Sequence, residues 1–143
     1  MKKLIVLFFL LFLATASIYS QNNSDCGGSK TPKNNKPIKI GIVISTNDAE
    51  TVWNALRLAN YSIAENDTVS IFLLGKGVEL SNISNNEFDI KSELNNFIDK
   101  GGNILACGTC MRSRKMEGSK TCPVSSLSDL YNLIRTNEKI LTF

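Results

Sequence analysis

The apolar residues of this chain fall into short, nearly continuous runs that alternate with longer segments of helical spacing. The short runs are rich in β-branched side chains and predict strands at residues 38–44, 68–74, 103–106, 123–124 and 139–143. The amphipathic segments predict helices at residues 49–64, 89–100, 111–116 and 126–136. Strands alternating with helices indicate an α/β fold: a single parallel sheet with helices on both faces, three layers of the flavodoxin or Rossmann kind.

Local sequence features support the ends and the buried faces of these helices. The stretch Thr46-Asn47-Asp48 offers an N-cap for the first helix, and Gly101 and Gly102 are suited to end the second. Residues 75–88 are expected to form a loop that begins with the Gly75-Lys76-Gly77 turn. The residues predicted to face inward on the last helix are Leu127, Leu130, Tyr131 and Ile134.

The N-terminal segment has the composition of an export signal. Lys2 and Lys3 precede an apolar run over residues 4–13 and then a stretch of small and polar residues. The run is shorter than the roughly 20 apolar residues that a membrane helix needs. We therefore expect a signal peptide over residues 1–20, a flexible linker over 21–37 and one domain over 38–143. A bacterial protein of this kind would be periplasmic or secreted, with no stable membrane span after cleavage.

Charge and composition exclude several function classes. Loss of Lys2 and Lys3 would lower the formal net charge from +3 to +1, so nucleic-acid binding by a basic surface is not expected. The chain contains no histidine, which excludes Ser-His-Asp and Cys-His catalysis and histidine metal sites. No cofactor is expected.

The residues most suited to chemistry form a C-x-x-C motif, Cys107-Gly108-Thr109-Cys110, directly after a predicted strand. In a parallel sheet, ligands and chemistry collect at the C-terminal ends of the strands. A thiolate is the reactive form of cysteine, and positive charge or backbone N–H groups nearby favour it. Arg112 and Arg114 supply such charge. Gly108 allows close approach of the backbone to the sulfur.

Four kinds of cysteine chemistry are compatible with this motif. Cys107 could carry a transferable sulfur as a persulfide, or form a dithiol–disulfide redox pair with Cys110. A zinc site could combine these two with Cys122 and Cys26, although only one C-x-x-C is present. The fourth is a set of structural disulfides in an exported binding or interaction domain without enzymatic activity.

Six segments in order resemble the DsrE/DsrF-like family, which includes the TusD-type sulfurtransferase subunits. They are residues 40–44, 53–59, 69–75, 105–111, 126–130 and 139–143. The resemblance covers the chain from about residue 38 to its last residue. The chain departs from the family at two points. It has an export signal, whereas the best-known members are cytoplasmic, and it has Lys115 where members often have glycine.

The resemblance implies a compact α/β subunit that assembles into homotrimers or hexamers and passes sulfane sulfur between a donor and an acceptor. It places the sulfur-carrying cysteine at Cys107, with Cys110 as the second, resolving cysteine of a subgroup that has the C-G-T-C motif. Gly108, Thr109, Arg112 and Arg114 would support these thiols. The expected partners are other copies of this chain and either a donor or acceptor protein or a small sulfur species.

Overall fold

The structure, a computed structural model, describes residues 36–143. The predicted signal peptide and most of the predicted linker, including Cys26, lie outside the described residues. The elements in chain order are β1 (Lys39–Ile44), α1 (Ala49–Ala64), β2 (Thr68–Leu73), a 3₁₀ helix (Gly75–Asn82), α2 (Ile90–Asp99), β3 (Asn103–Cys107), α3 (Gly108–Ser113), β4 (Val124–Ser125), α4 (Leu127–Thr136) and β5 (Lys139–Thr142).

All five strands pair in parallel in one sheet of order β4-β3-β2-β1-β5. Successive side chains of a strand point to opposite faces, so the sheet has two apolar faces. Ile42 and Ile44 belong to the larger core cluster, which includes residues of α1 and α2. Val43 and Phe72 belong to a second cluster that Leu133 of α4 completes. The predicted α/β fold, with one parallel sheet and helices on both faces, is therefore confirmed.

The helix starts follow from hydrogen bonds that the sequence provides locally. Asp48 caps α1, because its Oδ1 accepts from the Thr51 N–H at 2.9 Å. Asp89 caps α2 in the same way through the Ser92 N–H. At α4, Ser126 and Asp129 form a capping box. The predicted bounds of α1 are those observed, and within the predicted Thr46-Asn47-Asp48 stretch the capping residue is Asp48.

Two local predictions are wrong in their secondary structure. The start of the expected 75–88 loop is a 3₁₀ helix over Gly75–Asn82, and Gly77 is crowded there against β1. A Cβ on Gly77 would fall 2.0 Å from the Ile44 carbonyl oxygen. The helix expected at 111–116 instead begins at Gly108 and ends at Ser113, directly after Cys107.

The predicted inward face of α4 is right for Leu130, which packs against the second core cluster, and wrong for the other three residues. Leu133 is the buried residue of this helix and Leu130 is half-buried, whereas Leu127, Tyr131 and Ile134 are 77%, 61% and 49% exposed. The apolar spacing of these three residues is real, but it forms a second stripe that points away from the sheet. No helix within residues 36–143 is both long and apolar enough to cross a membrane.

Candidate functional site

Cys107 is the last residue of β3 and directly precedes α3, so the thiol lies at the C-terminal edge of the sheet. It pairs with Ser125 of β4 and is half-buried. Gly108 permits this packing, because a Cβ there would lie 2.8 Å from Val124 Cγ1 and 3.0 Å from the Ser125 carbonyl oxygen. The strand-end position that the sequence predicted for Cys107 is therefore where the structure places it.

The surroundings of Cys107 favour its thiolate. Burial alone would raise the pKa of this thiol, but hydrogen bonds from the backbone N–H and thiol of Cys110 and from the Thr109 N–H outweigh burial. The positive charge of Arg112 acts in the same direction. The net effect is a pKa of Cys107 below its ordinary value, which makes this thiol the better nucleophile at neutral pH.

The pKa of Cys110 is shifted in the opposite direction, above its ordinary value. Burial raises the pKa of this thiol, and its hydrogen bond with Cys107 and the charge of that neighbour raise it further. The Gly75 N–H donates to Cys110 Sγ at 3.2 Å and, together with Arg114, only partly offsets these effects. Cys107 and Cys110 therefore form a pair in which the pKa of one thiol is lowered and the pKa of the other is raised.

The two predicted supporting arginines, Arg112 and Arg114, have different hydrogen-bond partners. The Arg112 side chain turns back along α3, where Nη2 donates to Thr109 Oγ1 at 3.2 Å. Arg114 donates through Nε to Glu79 Oε1 at 2.8 Å and through Nη1 to the Cys110 carbonyl oxygen at 3.2 Å. Arg112 thus lies on the Cys107 side of the motif, and Arg114 joins its end to the 3₁₀ helix.

Glu79 and Asn47 are part of this site but were not found by sequence reasoning. Asn47 Nδ2 donates to Glu79 Oε2 at 2.8 Å, so both oxygens of the carboxylate are engaged. Hydrogen bonds from Asn47 and then Arg114 lower the pKa of Glu79. Neither residue stands near a cysteine in the sequence, and only the fold brings them to the motif. The Gly75 turn follows β2 and Cys107 ends β3, so both lie at the C-terminal edge of the sheet.

The remaining described cysteine, Cys122, is free, as are Cys107 and Cys110. Burial raises the pKa of Cys122. Its side chain lines a cavity of about 80 Å³ with Met111, Met116 and other apolar residues. Within residues 36–143 no three cysteine or carboxylate side chains are grouped to hold a metal ion, so the three-cysteine zinc arrangement is not formed there.

The chain is similar in sequence to two archaeal proteins without assigned function. It is 25% identical over 119 residues to the uncharacterized protein MK0008 of Methanopyrus kandleri, an alignment covering 79% of this chain and 98% of the relative. It is 28% identical over 103 residues to the uncharacterized protein MJ0989 of Methanocaldococcus jannaschii, covering 66% and 88%.

Two solved structures share the fold. The ychN protein from E. coli superposes with a TM-score of 0.65 at 19% identity, covering 76% of this chain and 100% of that chain. BT1422, a conserved protein of unknown function from Bacteroides thetaiotaomicron, superposes with a TM-score of 0.60 at 23% identity, covering 73% and 94%. Residues 39–143 match the sequence profile of the DsrE/DsrF-like family, which spans the whole sheet and the cysteine motif. This chain belongs to the DsrE/DsrF-like family.

Proposed function

We propose that this protein is an exported sulfur carrier that accepts sulfane sulfur on Cys107 as a persulfide, with Cys110 as the resolving thiol. The family supports a sulfur-relay type of function at a coarse level. The observation that carries the finer proposal is the unequal pair of thiols at the end of β3. The pKa of Cys107 is lowered, and the pKa of the adjacent Cys110 is raised.

Loading needs only the Cys107 thiolate and a donor that contains sulfane sulfur. The thiolate forms an S–S bond with the terminal sulfur of a hydropolysulfide, and the bond from that sulfur to the rest of the donor breaks. The shortened polysulfide leaves with the electron pair and takes up a proton. Burial opposes ionisation of the attacking sulfur, but the backbone N–H donors of Cys110 and Thr109 favour its ionised form before this step.

The carried sulfur can leave by two balanced routes. In transfer, an acceptor thiolate attacks the outer sulfur of the persulfide, and Cys107 leaves as a thiolate. In resolution, the Cys110 thiolate attacks Cys107 Sγ, hydrosulfide leaves, and a Cys107–Cys110 disulfide remains until an external dithiol reduces it. The raised pKa of Cys110 lowers the fraction of its thiolate, which slows this second route relative to transfer.

The proposal is tested by intact mass spectrometry of the native protein, alkylated with and without prior exposure to hydropolysulfide. We expect one added sulfur atom that maps to the Cys107 peptide, absent in Cys107→Ser and longer-lived in Cys110→Ser. Full labelling of the Cys107→Ser variant would overturn the assignment. Protein whose four cysteines are all in disulfides and do not respond to hydropolysulfide would favour the alternative of a disulfide-bonded binding domain.

The same pair of thiols supports thiol–disulfide exchange as a second candidate, because Cys107 and Cys110 belong to one C-x-x-C motif and each shifts the pKa of the other. This function would be independent of sulfane sulfur. Equilibration of the protein with glutathione redox buffers separates the two: a redox protein would cycle between dithiol and disulfide without any gain of sulfur. A sulfur carrier would gain sulfur from hydropolysulfide under reducing conditions.

Export and self-association complete the proposal. Export is supported by the charged and apolar pattern of residues 1–20. Association into a homotrimer or hexamer is supported by Leu127, Tyr131 and Ile134, which form an exposed apolar stripe on α4. Fractionation of the native host would test the first, and light scattering of the purified protein the second. Cytoplasmic retention or a monomer at all concentrations would contradict them.

A further inference from the structure

Arg112 and Arg114 lie on the same short helix but differ in whether their charge is compensated. Arg114 forms an ion pair with Glu79. Arg112 has no carboxylate partner among residues 36–143, and its one side-chain hydrogen bond goes to the neutral hydroxyl of Thr109. The motif therefore carries one guanidinium whose positive charge remains available to a ligand.

The position of Arg112 places this charge beside the nucleophile. Thr109 holds Nη2 at 3.2 Å, and Nη1 lies 3.4 Å from the point where a Cβ on Gly108 would stand. Gly108 is the residue next to Cys107 in the chain, so this distance puts the guanidinium within van der Waals contact of the position that a Gly108 Cβ would take. Arg112 is exposed, so an incoming molecule reaches it from solvent together with half-buried Cys107.

We propose that Arg112 binds the negative charge of the sulfur donor, which makes small anionic sulfane-sulfur compounds of the hydropolysulfide class the substrates of Cys107. A guanidinium forms its strongest hydrogen bonds with anionic acceptors. It also stabilises the charge that develops on the departing polysulfide when the new S–S bond forms. Thr109 is the positioning residue that keeps Arg112 turned toward Cys107. This inference rests on the proposed sulfur-carrier function and specifies its substrate.

A comparison of an anionic and a neutral reagent separates this role from a general effect on thiol reactivity. The rate of modification of Cys107 is measured by peptide mass spectrometry with hydropolysulfide and with a neutral dialkyl trisulfide. If Arg112→Gln only lowers the thiolate fraction of Cys107, both reactions become slower. If the variant also loses anion binding, the hydropolysulfide reaction slows more than the trisulfide reaction does. We expect the hydropolysulfide-to-trisulfide rate ratio to fall about tenfold, as for a lost charge-assisted hydrogen bond.

Two variants serve as controls. Arg112→Lys keeps the charge and should restore the ratio in part, and Arg135→Gln removes one charge from exposed α4 and should leave it within about twofold. High salt should lower the wild-type ratio toward that of Arg112→Gln. Equal slowing of both reagents in Arg112→Gln would overturn the inference. A second pair of reagents, anionic iodoacetate and neutral iodoacetamide, tests anion binding without sulfur transfer. If wild-type Cys107 gains no sulfur, but its iodoacetate-to-iodoacetamide rate ratio still falls in Arg112→Gln, the proposed function is overturned and the role of Arg112 is not.

Discussion

The backbone N–H of Gly75 donates a hydrogen bond to Cys110 Sγ at 3.2 Å, so the residues that follow β2 and β3 meet at one thiol. The turn that contains this N–H is held against β1, because Gly77 packs on the carbonyl group of Ile44 and leaves no room for a side chain. Cys107, in contrast, is activated from within its own motif by Cys110 and Thr109. The two thiols therefore depend on different parts of the fold and can be altered separately.

Cys110→Ala should raise the pKa of Cys107, because the variant loses the hydrogen bond that the Cys110 thiol makes to the Cys107 thiolate. Cys110→Ser keeps a donor and should preserve much of the lowered pKa. The measurement is the pH dependence of Cys107 alkylation, followed by peptide mass spectrometry, with Cys122→Ala as a control. An unchanged midpoint in Cys110→Ala would show that the backbone donors are sufficient.

Gly108→Ala should destabilise the fold by about 1–3 kcal/mol, because the new methyl group would overlap Val124 and the backbone of Ser125. Denaturant unfolding measures the loss. The double variant Gly108→Ala, Val124→Ala should recover part of it, since one of the two clashes is removed. Val124→Ala alone is the matched control and should cost little at this exposed position. Wild-type stability in Gly108→Ala would contradict the close packing of β4 on the motif.

The Glu79–Arg114 ion pair should stabilise the protein in a pH-dependent way. Hydrogen bonds from Asn47 and Arg114 hold the pKa of Glu79 below its ordinary value, so the carboxylate stabilises the folded state above that ordinary pKa. The contribution is lost as the pH falls through the lowered, folded-state pKa. A double-mutant cycle with Glu79→Gln and Arg114→Gln, measured by urea unfolding from neutral to acidic pH, should show coupling that disappears at the acidic end. Coupling that is constant with pH would contradict this.

Lys115→Gly should stabilise the protein. Lys115 has a φ of 56°, in the left-handed region that costs a residue with a Cβ about 1–2 kcal/mol, while glycine adopts it freely. Because glycine also loses more backbone entropy on folding, we expect a net gain of about 0.5–1 kcal/mol in the free energy of unfolding. Lys120→Gly, in the neighbouring exposed segment, is the control and should give no gain. A loss of stability in Lys115→Gly would contradict strain at this residue.

Tyr131→Glu should dissociate the proposed oligomer, because it places a charge in the middle of the exposed apolar stripe on α4. Ser128→Glu adds the same charge to the same helix outside that stripe and is the matched control. Light scattering of both variants and of the wild type over a range of concentrations gives the answer. If Tyr131→Glu keeps the wild-type mass, the stripe is not the interface.

The parts of the fold that follow from the sequence are those in which one segment determines its own structure. The helix Ala49–Ala64 has its cap and its apolar face within seventeen consecutive residues, and the strands have nearly continuous apolar runs. The 3₁₀ helix has no such local pattern. Its structure depends on the contact of Gly77 with β1, a residue-to-strand contact that the segment alone does not reveal.

For α4, the apolar spacing identified an amphipathic helix but not which of its two apolar stripes meets the sheet. Leu133 was missed because the stripe of Leu127, Tyr131 and Ile134 is the more regular one. The cysteines and arginines of the candidate site stand together in the sequence and could be predicted. Glu79 was out of reach, since it lies 35 residues from Arg114 and is brought there only by the order of β2 and β3 in the sheet.

Cys122 is half-buried and the pKa of its thiol is raised, so its labelling can report whether the domain is folded. Alkylating reagents should react with it slowly in the folded domain, because little of this thiol is ionised there. Unfolding exposes the Cys122 thiol fully, so its labelling rate reports the fraction of molecules that are unfolded. A variant that loses activity at Cys107 while Cys122 stays unlabelled has lost chemistry, and one in which both change together has lost its fold.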